Sequence, residues 1–311
     1  MKILLTGAAG QLGQALRQQV PGGVELIATS RSGDPATGLL PLDLADAAAC
    51  RAAVHQRRPD WVLNAGAYTA VDRAEGEPEL ALAVNGGAPR AFAEALAGTD
   101  GRLLQVSTDF VFNGQQGSPY RPEQSRDPLG VYGATKAAGE EAVEELLGAA
   151  AGDGGVARGV ILRTSWVMGP VGKNFALTML RLHRERGARG QALGVVEDQV
   201  GCPTSTLTLA TACWRAIAVM DTPSGLPAAL HWSDAGAASW FDVAVAVGEL
   251  GVELGLLEKM AAVTPITTAD YPTPAQRPSY SQLDCSATRQ VLDLPALHWR
   301  QALRQVLEAV A

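Results

Sequence analysis

The chain has 311 residues, of which 47% are hydrophobic and 18% charged, with a net charge of −7. This composition marks a globular protein able to bury a large core, as one large domain or as one plus a smaller lobe. It speaks against nucleic acid as a main partner, because no Lys/Arg cluster offsets the negative charge, and no apolar run approaches membrane-spanning length.

Residues 2–6 read as an apolar strand, followed by Gly7-x-x-Gly10-x-x-Gly13 and an amphipathic stretch over residues 11–20. A strand that turns through glycines into a helix leaves free backbone N–H groups at the helix start, where phosphate binds. Gly7 allows the tight turn, Gly10 the approach of a pyrophosphate and Gly13 close helix–strand packing, with Gln11 and Leu12 between them. A second strand over residues 24–29 ends at Ser30-Arg31. In dinucleotide folds this position meets the adenosine ribose, where an acidic residue suits NAD and an arginine suits the 2′-phosphate of NADP. Here no carboxylate precedes Asp34, so the expected cofactor is NADPH, with NADH as the second option. Asp43-Leu44 is placed at the adenine edge.

A helix is predicted over residues 45–56 and a strand over residues 61–64. The strand runs into Ala65-Gly66-Ala67, small residues that let a cofactor lie against the backbone. Residues 78–96 read as one alanine-rich helix bent by Pro89, and residues 103–107 as the next strand. Ser107-Thr108-Asp109 closes that strand. A hydroxyl there points into the crevice and can hydrogen-bond a substrate carbonyl, although such a pair also serves as a local cap. The helix over residues 131–147 carries Tyr132 and Lys136, which share a face at i and i+4. A neighbouring ammonium lowers a phenol pKa that starts near 10 and makes Tyr132 a proton donor; on its own the spacing also fits a surface helix pair. A strand over residues 160–163 closes the series, after a surface loop at residues 149–157.

Strands alternating with helices imply a Rossmann-type, doubly wound parallel sheet with ligands at the carboxyl ends of its strands. Beyond it, helices are expected at residues 174–186, 207–220, 240–250 and 298–310, strands at 193–196 and 230–233, and a Pro/Thr-rich loop at 265–278. The division is thus residues 1–165 for the cofactor and residues 166–311 for a smaller α/β substrate lobe, with segments returning to the first domain. Cys50, Cys202, Cys213 and Cys285 are scattered without C-x-x-C spacing, as reduced cytoplasmic thiols would be. The histidines at 55, 183, 231 and 298 show no metal-ligand spacing. The first residues open on a strand and lack a signal-peptide layout, which again points to the cytoplasm.

Together, the glycine loop, Asn64-Ala-Gly-Ala, Ser107-Thr108-Asp109 and Tyr132-x-x-x-Lys136 resemble the extended short-chain dehydrogenase/reductase superfamily. Within it, six motifs resemble the dTDP-4-dehydrorhamnose reductase family over nearly the whole chain. They are Gly10-Gln-Leu-Gly13, Ala67-Tyr-Thr-Ala-Val-Asp72, Ser107-Thr-Asp-Phe-Val-Phe112, Arg163-Thr-Ser-Trp-Val167, Asn174-Phe175 and Tyr271-Pro-Thr-Pro-Ala-Gln-Arg-Pro278. The resemblance implies NADPH-dependent reduction of the C4 ketone of dTDP-4-dehydro-L-rhamnose to dTDP-L-rhamnose. It implies that Tyr132 donates the proton, that Lys136 lowers its pKa and holds the nicotinamide ribose, and that Thr108 binds the carbonyl oxygen. It also places Trp166 and Asn174 beside the sugar nucleotide and Arg277 at its diphosphate, where a guanidinium matches phosphate oxygens.

Some members of that family bind Mg²⁺ at a dimer interface through a glutamate of the first helix. Ala15 stands at the matching position, and Glu197-Asp198 offers too few oxygens, so no Mg²⁺ and a monomer or weak homodimer are expected. Two other readings stay open: a sibling sugar-nucleotide 4-ketoreductase or epimerase, and a non-catalytic regulatory binding subunit. The presence of Thr108, Tyr132 and Lys136 together favours an enzyme.

Overall fold

In the computed structural model, which describes residues 1–148, 157–220 and 226–310, strands and helices alternate along the first half. In order they are β1 (Lys2–Thr6), α1 (Gln11–Gln18), β2 (Glu25–Ser30), β3 (Leu40–Pro41), α2 (Ala47–Arg57) and β4 (Trp61–Asn64). Three helical pieces follow, α3 (Val71–Ala74), α4 (Pro78–Leu82) and α5 (Ala88–Ala97), then β5 (Arg102–Thr108), α6 (Val131–Leu147) and β6 (Gly159–Thr164). The second half contains β7 (Val167–Met168), α7 (Phe175–Gly187), β8 (Leu193–Val196), β9 (Val200–Gly201), β10 (Thr204–Ser205) and α8 (Thr206–Met220). It ends with β11 (Ala229–His231), β12 (Ala238–Ser239), α9 (Trp240–Glu253), β13 (Val263–Ile266), α10 (Ser286–Leu292) and α11 (Trp299–Glu308). The loop expected at residues 149–157 lies, but for its last residue, outside the described residues.

Seven strands form one parallel sheet in the order β11-β6-β5-β4-β1-β2-β3. The chain moves outward from β1 to β3, then returns to place β4 on the other side of β1. That reversal opens the crevice in which doubly wound sheets bind ligands, beyond the carboxyl ends of β1 and β4.

Side-chain alternation along the strands sets the two layers. Ile3, Leu5, Trp61, Leu63, Leu104 and Leu162 pack with α1 and α8 residues such as Leu12, Leu16, Leu209 and Ile217. Leu4, Val62, Leu103 and Ile161 face the other way, against Val54, Phe92, Leu96 and Val143 of α2, α5 and α6. A second core joins α7, α9, α11 and β8 through Leu180, Val195, Val247 and Leu303.

Besides short unpredicted elements such as β3, α3 and α10, three departures from the predicted elements stand out. Residues 78–96 are not one bent helix: a π-turn at Ala83–Gly87 separates α4 from α5. Pro89 lacks an N–H to donate, and its ring would collide with the carbonyl four residues back, so the helix breaks before it. Residues 263–266 are a strand paired in parallel with β8, and they take the start of the expected loop at 265–278. The strand expected at 230–233 is β11, and it extends the main sheet beside β6, while α8 covers a face of that sheet. No helix among the described residues is long and apolar enough to cross a membrane.

Candidate active site

Where β1 and β4 diverge, polar side chains stitch the strand ends. Thr6 donates to Asn64 Oδ1, Asn64 Nδ2 donates to Gln105 Oε1 at 2.6 Å, and Gly66 N donates to Thr6 Oγ1 at 3.1 Å. Gly7 has φ +65, and a Cβ there would sit 2.6 Å from Gly66 Cα. A Cβ on Gly13 would lie 2.2 Å from the Gly7 carbonyl oxygen. Only glycine permits two backbones this close and the positive φ at the turn. Gly10 caps α1 without a side-chain hydrogen bond, so the first N–H groups of that helix stay open to an anion.

These turns edge a crevice of about 320 Å³. Gly7, Gly10, Gln11, Leu12, Gly13, Arg31, Asp43, Leu44, Ala65, Gly66, Ala67, Tyr132 and Lys136 all line it. Thr164 lines it too, and its buried hydroxyl has no hydrogen-bond partner among the described residues. A glycine cradle at a helix start, a cationic residue past the second strand and an orphaned hydroxyl deeper in together fit a phosphorylated dinucleotide. A larger hollow of about 780 Å³ lies at the opposite end of the sheet, around Pro59, Asp60 and Gly101. It is far from the switch point and brings no catalytic set together.

β5 and α6 deliver the reactive groups. Tyr132 is half-buried, with its ring edge-on to Phe110 at 5.5 Å, and Thr108 acts on its hydroxyl to lower its pKa. Thr108 also donates to Asp109 Oδ1 at 3.0 Å. Lys136 is buried, and its Nζ donates to the Val106 carbonyl at 2.6 Å. The spacing led to an expectation of a lowered phenol pKa; the structure reverses the sign. Burial pushes Tyr132 up to about 12; Thr108 works against this, and the Asp109 charge adds to it. Burial also brings Lys136 down to about 8, although the charge of Glu140 acts upward. Asp109 is lifted to about 6, chiefly by burial. The site therefore holds a protonated phenol, which is the form a proton donor needs.

The whole chain, residues 1–311, matches the model of the RmlD substrate binding domain. The chain belongs to the RmlD substrate-binding-domain family. It is 39% identical to a dTDP-4-dehydrorhamnose reductase of Streptomyces griseus, over 99% of this chain and 93% of that protein. It is also 39% identical to a probable dTDP-4,6-dihydroxy-2-methyloxan-3-one 4-ketoreductase of Streptomyces antibioticus, over 98% of this chain and 94% of the relative. Among solved structures, dTDP-4-dehydrorhamnose reductase of Bacillus anthracis in complex with NADP superposes with a TM-score of 0.81 at 29% identity, over 98% of each chain.

Against this family frame, the other residues expected at the site fall in different places. Ser30 ends β2, where its carbonyl accepts from Leu42 N at 2.8 Å. Trp166 stacks on Trp240, with ring centroids 3.6 Å apart. Asn174, expected to meet the sugar nucleotide, caps α7. Its Oδ1 accepts from Leu177 N at 3.0 Å, and its Nδ2 donates to Gly169 O at 2.8 Å and to Gln11 Oε1 at 3.2 Å. Its amide caps α7 and ties it to α1 beside the crevice-lining Gln11. Arg277, expected at a diphosphate, is held by a carboxylate: its Nη2 and Nη1 donate to Asp72 at 2.8 and 3.1 Å. The pair keeps the Asp72 carboxyl below its ordinary range and fastens the loop after β13 to α3.

Sequence reading missed two supporting groups. Asn85, in the π-turn, accepts from Tyr68 N and donates to Tyr68 O and Thr135 Oγ1, binding the loop after β4 to α6. Glu140, one turn beyond Lys136, is wholly buried against Arg163 at 2.7 Å and Arg126 at 3.1 Å. The third member of the Tyr132–Lys136 helical row was the available signal. All four cysteines are buried and free.

Proposed function

We propose that this chain is an NADPH-dependent reductase that converts the C4 ketone of dTDP-4-dehydro-L-rhamnose to the alcohol of dTDP-L-rhamnose. The observation that carries this is the Thr108–Tyr132–Lys136 set at the end of a glycine-edged crevice. The glycine turns and the start of α1 hold the pyrophosphate, Arg31 meets the 2′-phosphate, Asp43-Leu44 the adenine and Ala65-Gly66-Ala67 the ring side of the cofactor. When bound, the reduced nicotinamide supplies the hydride that the carbonyl carbon accepts. Thr108 donates to the carbonyl oxygen and fixes it beside Tyr132. Tyr132 gives its phenolic proton to the oxygen as negative charge builds there. Lys136, anchored on Val106, keeps positive charge behind the phenol and at the nicotinamide ribose.

Trp166 forms a wall of the sugar site. Residues 1–165 carry the cofactor and most of the chemistry, and residues 166–311 most of the sugar-nucleotide site, with α8 and β11 returning to the main sheet. The enzyme works in the cytoplasm as a monomer or weak homodimer. Ala15, buried in the core, offers no side-chain oxygen to a cation, and no Mg²⁺ is expected.

A sibling activity on another dTDP-linked 4-keto sugar has a specific basis in the Streptomyces antibioticus relative, which is equally similar. Purified protein offered a panel of 4-keto-6-deoxy sugar nucleotides, with loss of NADPH absorbance followed, decides between them. Stoichiometric oxidation with the rhamnose precursor supports the proposal. Turnover without net NADPH loss would mean an epimerase, and none with any substrate would mean a binding subunit.

Two expected results follow from the geometry. Arg31→Ala raises the Kd of NADPH by about tenfold or more, the scale of a lost charge-assisted hydrogen bond, and changes NADH far less. Calorimetric titration of both cofactors checks this, and equal losses would remove the 2′-phosphate contact. Second, kcat/KM falls about tenfold per pH unit above pH 8, because Lys136 loses its proton there while Tyr132 stays protonated to about 12. A profile flat to pH 10 would exclude Lys136 as the titrating group.

A further inference from the structure

We infer that Trp240 and Gly201 are positioning residues that hold the Trp166 indole at one angle as a rigid wall of the sugar site. The inference rests on the reading above that Trp166 meets the sugar. Trp166 has φ +45, a sparsely populated conformation for a bulky residue, which persists only where the surroundings over-determine it. Three contacts do so. The Trp240 ring lies 3.6 Å away at an interplanar angle of 5°, so one whole face of Trp166 is covered. The Trp166 carbonyl accepts from Thr204 N at 3.2 Å. Gly201 passes the edge of the ring so closely that a Cβ there would lie 2.8 Å from Trp166 Cε2 and 2.9 Å from Nε1.

Trp240 is itself held. Its Nε1 donates to Gln199 Oε1 at 3.1 Å, and Gln199 Nε2 donates to Thr268 Oγ1 at 3.1 Å. Phe175 abuts it at 4.6 Å. The wall stands close to the chemistry. The same Cβ position on Gly201 lies 2.8 Å from Ser281 Oγ, and Ser281 acts to lower the pKa of Asp109, next to Thr108. With one face covered and one edge blocked, Trp166 has only its free face and remaining edge to offer a sugar. An indole that cannot rotate discriminates ring substituents, because a fixed aromatic plane suits an apolar sugar face and rejects a group projecting into it.

The test is steady-state kinetics with the 4-keto sugar nucleotide and NADPH, with the NADPH Kd measured separately by titration. Trp240→Ala is expected to raise KM for the sugar nucleotide about three- to tenfold, the scale of a lost aromatic pair, with kcat and NADPH Kd within about twofold. Trp240→Phe retains the stack and recovers most of the loss. Gly201→Ala gives the same KM-selective rise, and decides the matter if Trp240→Ala does not fold. Either change loses its effect in a Trp166→Ala background, because the route runs through that ring. A raised KM in Trp166→Ala with unchanged KM in Trp240→Ala and Gly201→Ala would overturn the inference and leave the sugar wall standing. An unchanged KM in Trp166→Ala would overturn the wall itself, and the inference with it.

Discussion

Tyr132→Phe is expected to lower turnover by about a hundredfold or more, the range for loss of a positioned general acid, while NADPH still binds. The substitution removes one oxygen and keeps the ring, so the edge-on contact with Phe110 survives. Thr108 does not replace it: its hydroxyl can hydrogen-bond the carbonyl oxygen, but a threonine hydroxyl is a far weaker acid than a phenol. With its pKa pushed up to about 12, the phenol arrives protonated at any working pH, so the proton it must give is in place. Charge building on the substrate oxygen then draws the proton across. Single-turnover measurement with a separate NADPH titration checks both halves. Unchanged turnover would take Tyr132 out of the mechanism, and lost NADPH binding would recast it as a cofactor ligand.

The second large effect concerns stability. Glu140→Ala is expected to cost about 3–5 kcal/mol, the range for breaking a buried ion pair from one side. Glu140 has no exposed surface and Arg163 only 2%, so neither charge is relieved by water. Arg163 reaches Glu140 through Nε at 3.0 Å and Nη2 at 2.7 Å, and donates through Nη1 to the Pro122 carbonyl at 2.9 Å. His231 beside it, with Nε2 at 3.3 Å from Nη1, is pushed down to about 3 by burial and by the Arg163 charge, so it stays neutral. Without Glu140 the guanidinium is stranded. Replacing both partners, as Glu140→Leu with Arg163→Met, is expected to recover most of the loss, because two matched apolar chains carry no desolvation cost. Denaturant midpoints at constant m measure this. A single-variant loss below about 1 kcal/mol would show that water reaches the pair. The same variant has a catalytic signature. Glu140 raises the Lys136 pKa, so in any folded fraction the alkaline limb of kcat/KM moves below pH 8.

Much of the cofactor site was legible because its determinants are local. A strand, three glycines and a helix within residues 2–18 build the phosphate cradle with their own backbone. Tyr132 and Lys136 share a face because of helical periodicity alone. What escaped reading depends on partners far along the chain. Arg277 and Asp72 are 205 residues apart, and Asn174 meets Gln11 across 163. An arginine in a proline-rich loop advertises a phosphate and a carboxylate equally, and only the fold decides which is near. The π-turn at Ala83–Gly87 was hidden because Pro89 signals a break without saying where the ladder widens.

The amino-acid order by itself determined the doubly wound sheet, the glycine cradle and the tyrosine–lysine row, since each follows from side-chain period and backbone freedom over a few turns. Tertiary structure alone decided the protonation state of the phenol, the carboxylate partner of Arg277, the capping role of Asn174 and the angle of the Trp166 ring. Burial and long-range contact set all four, and neither is a property of a short stretch of chain.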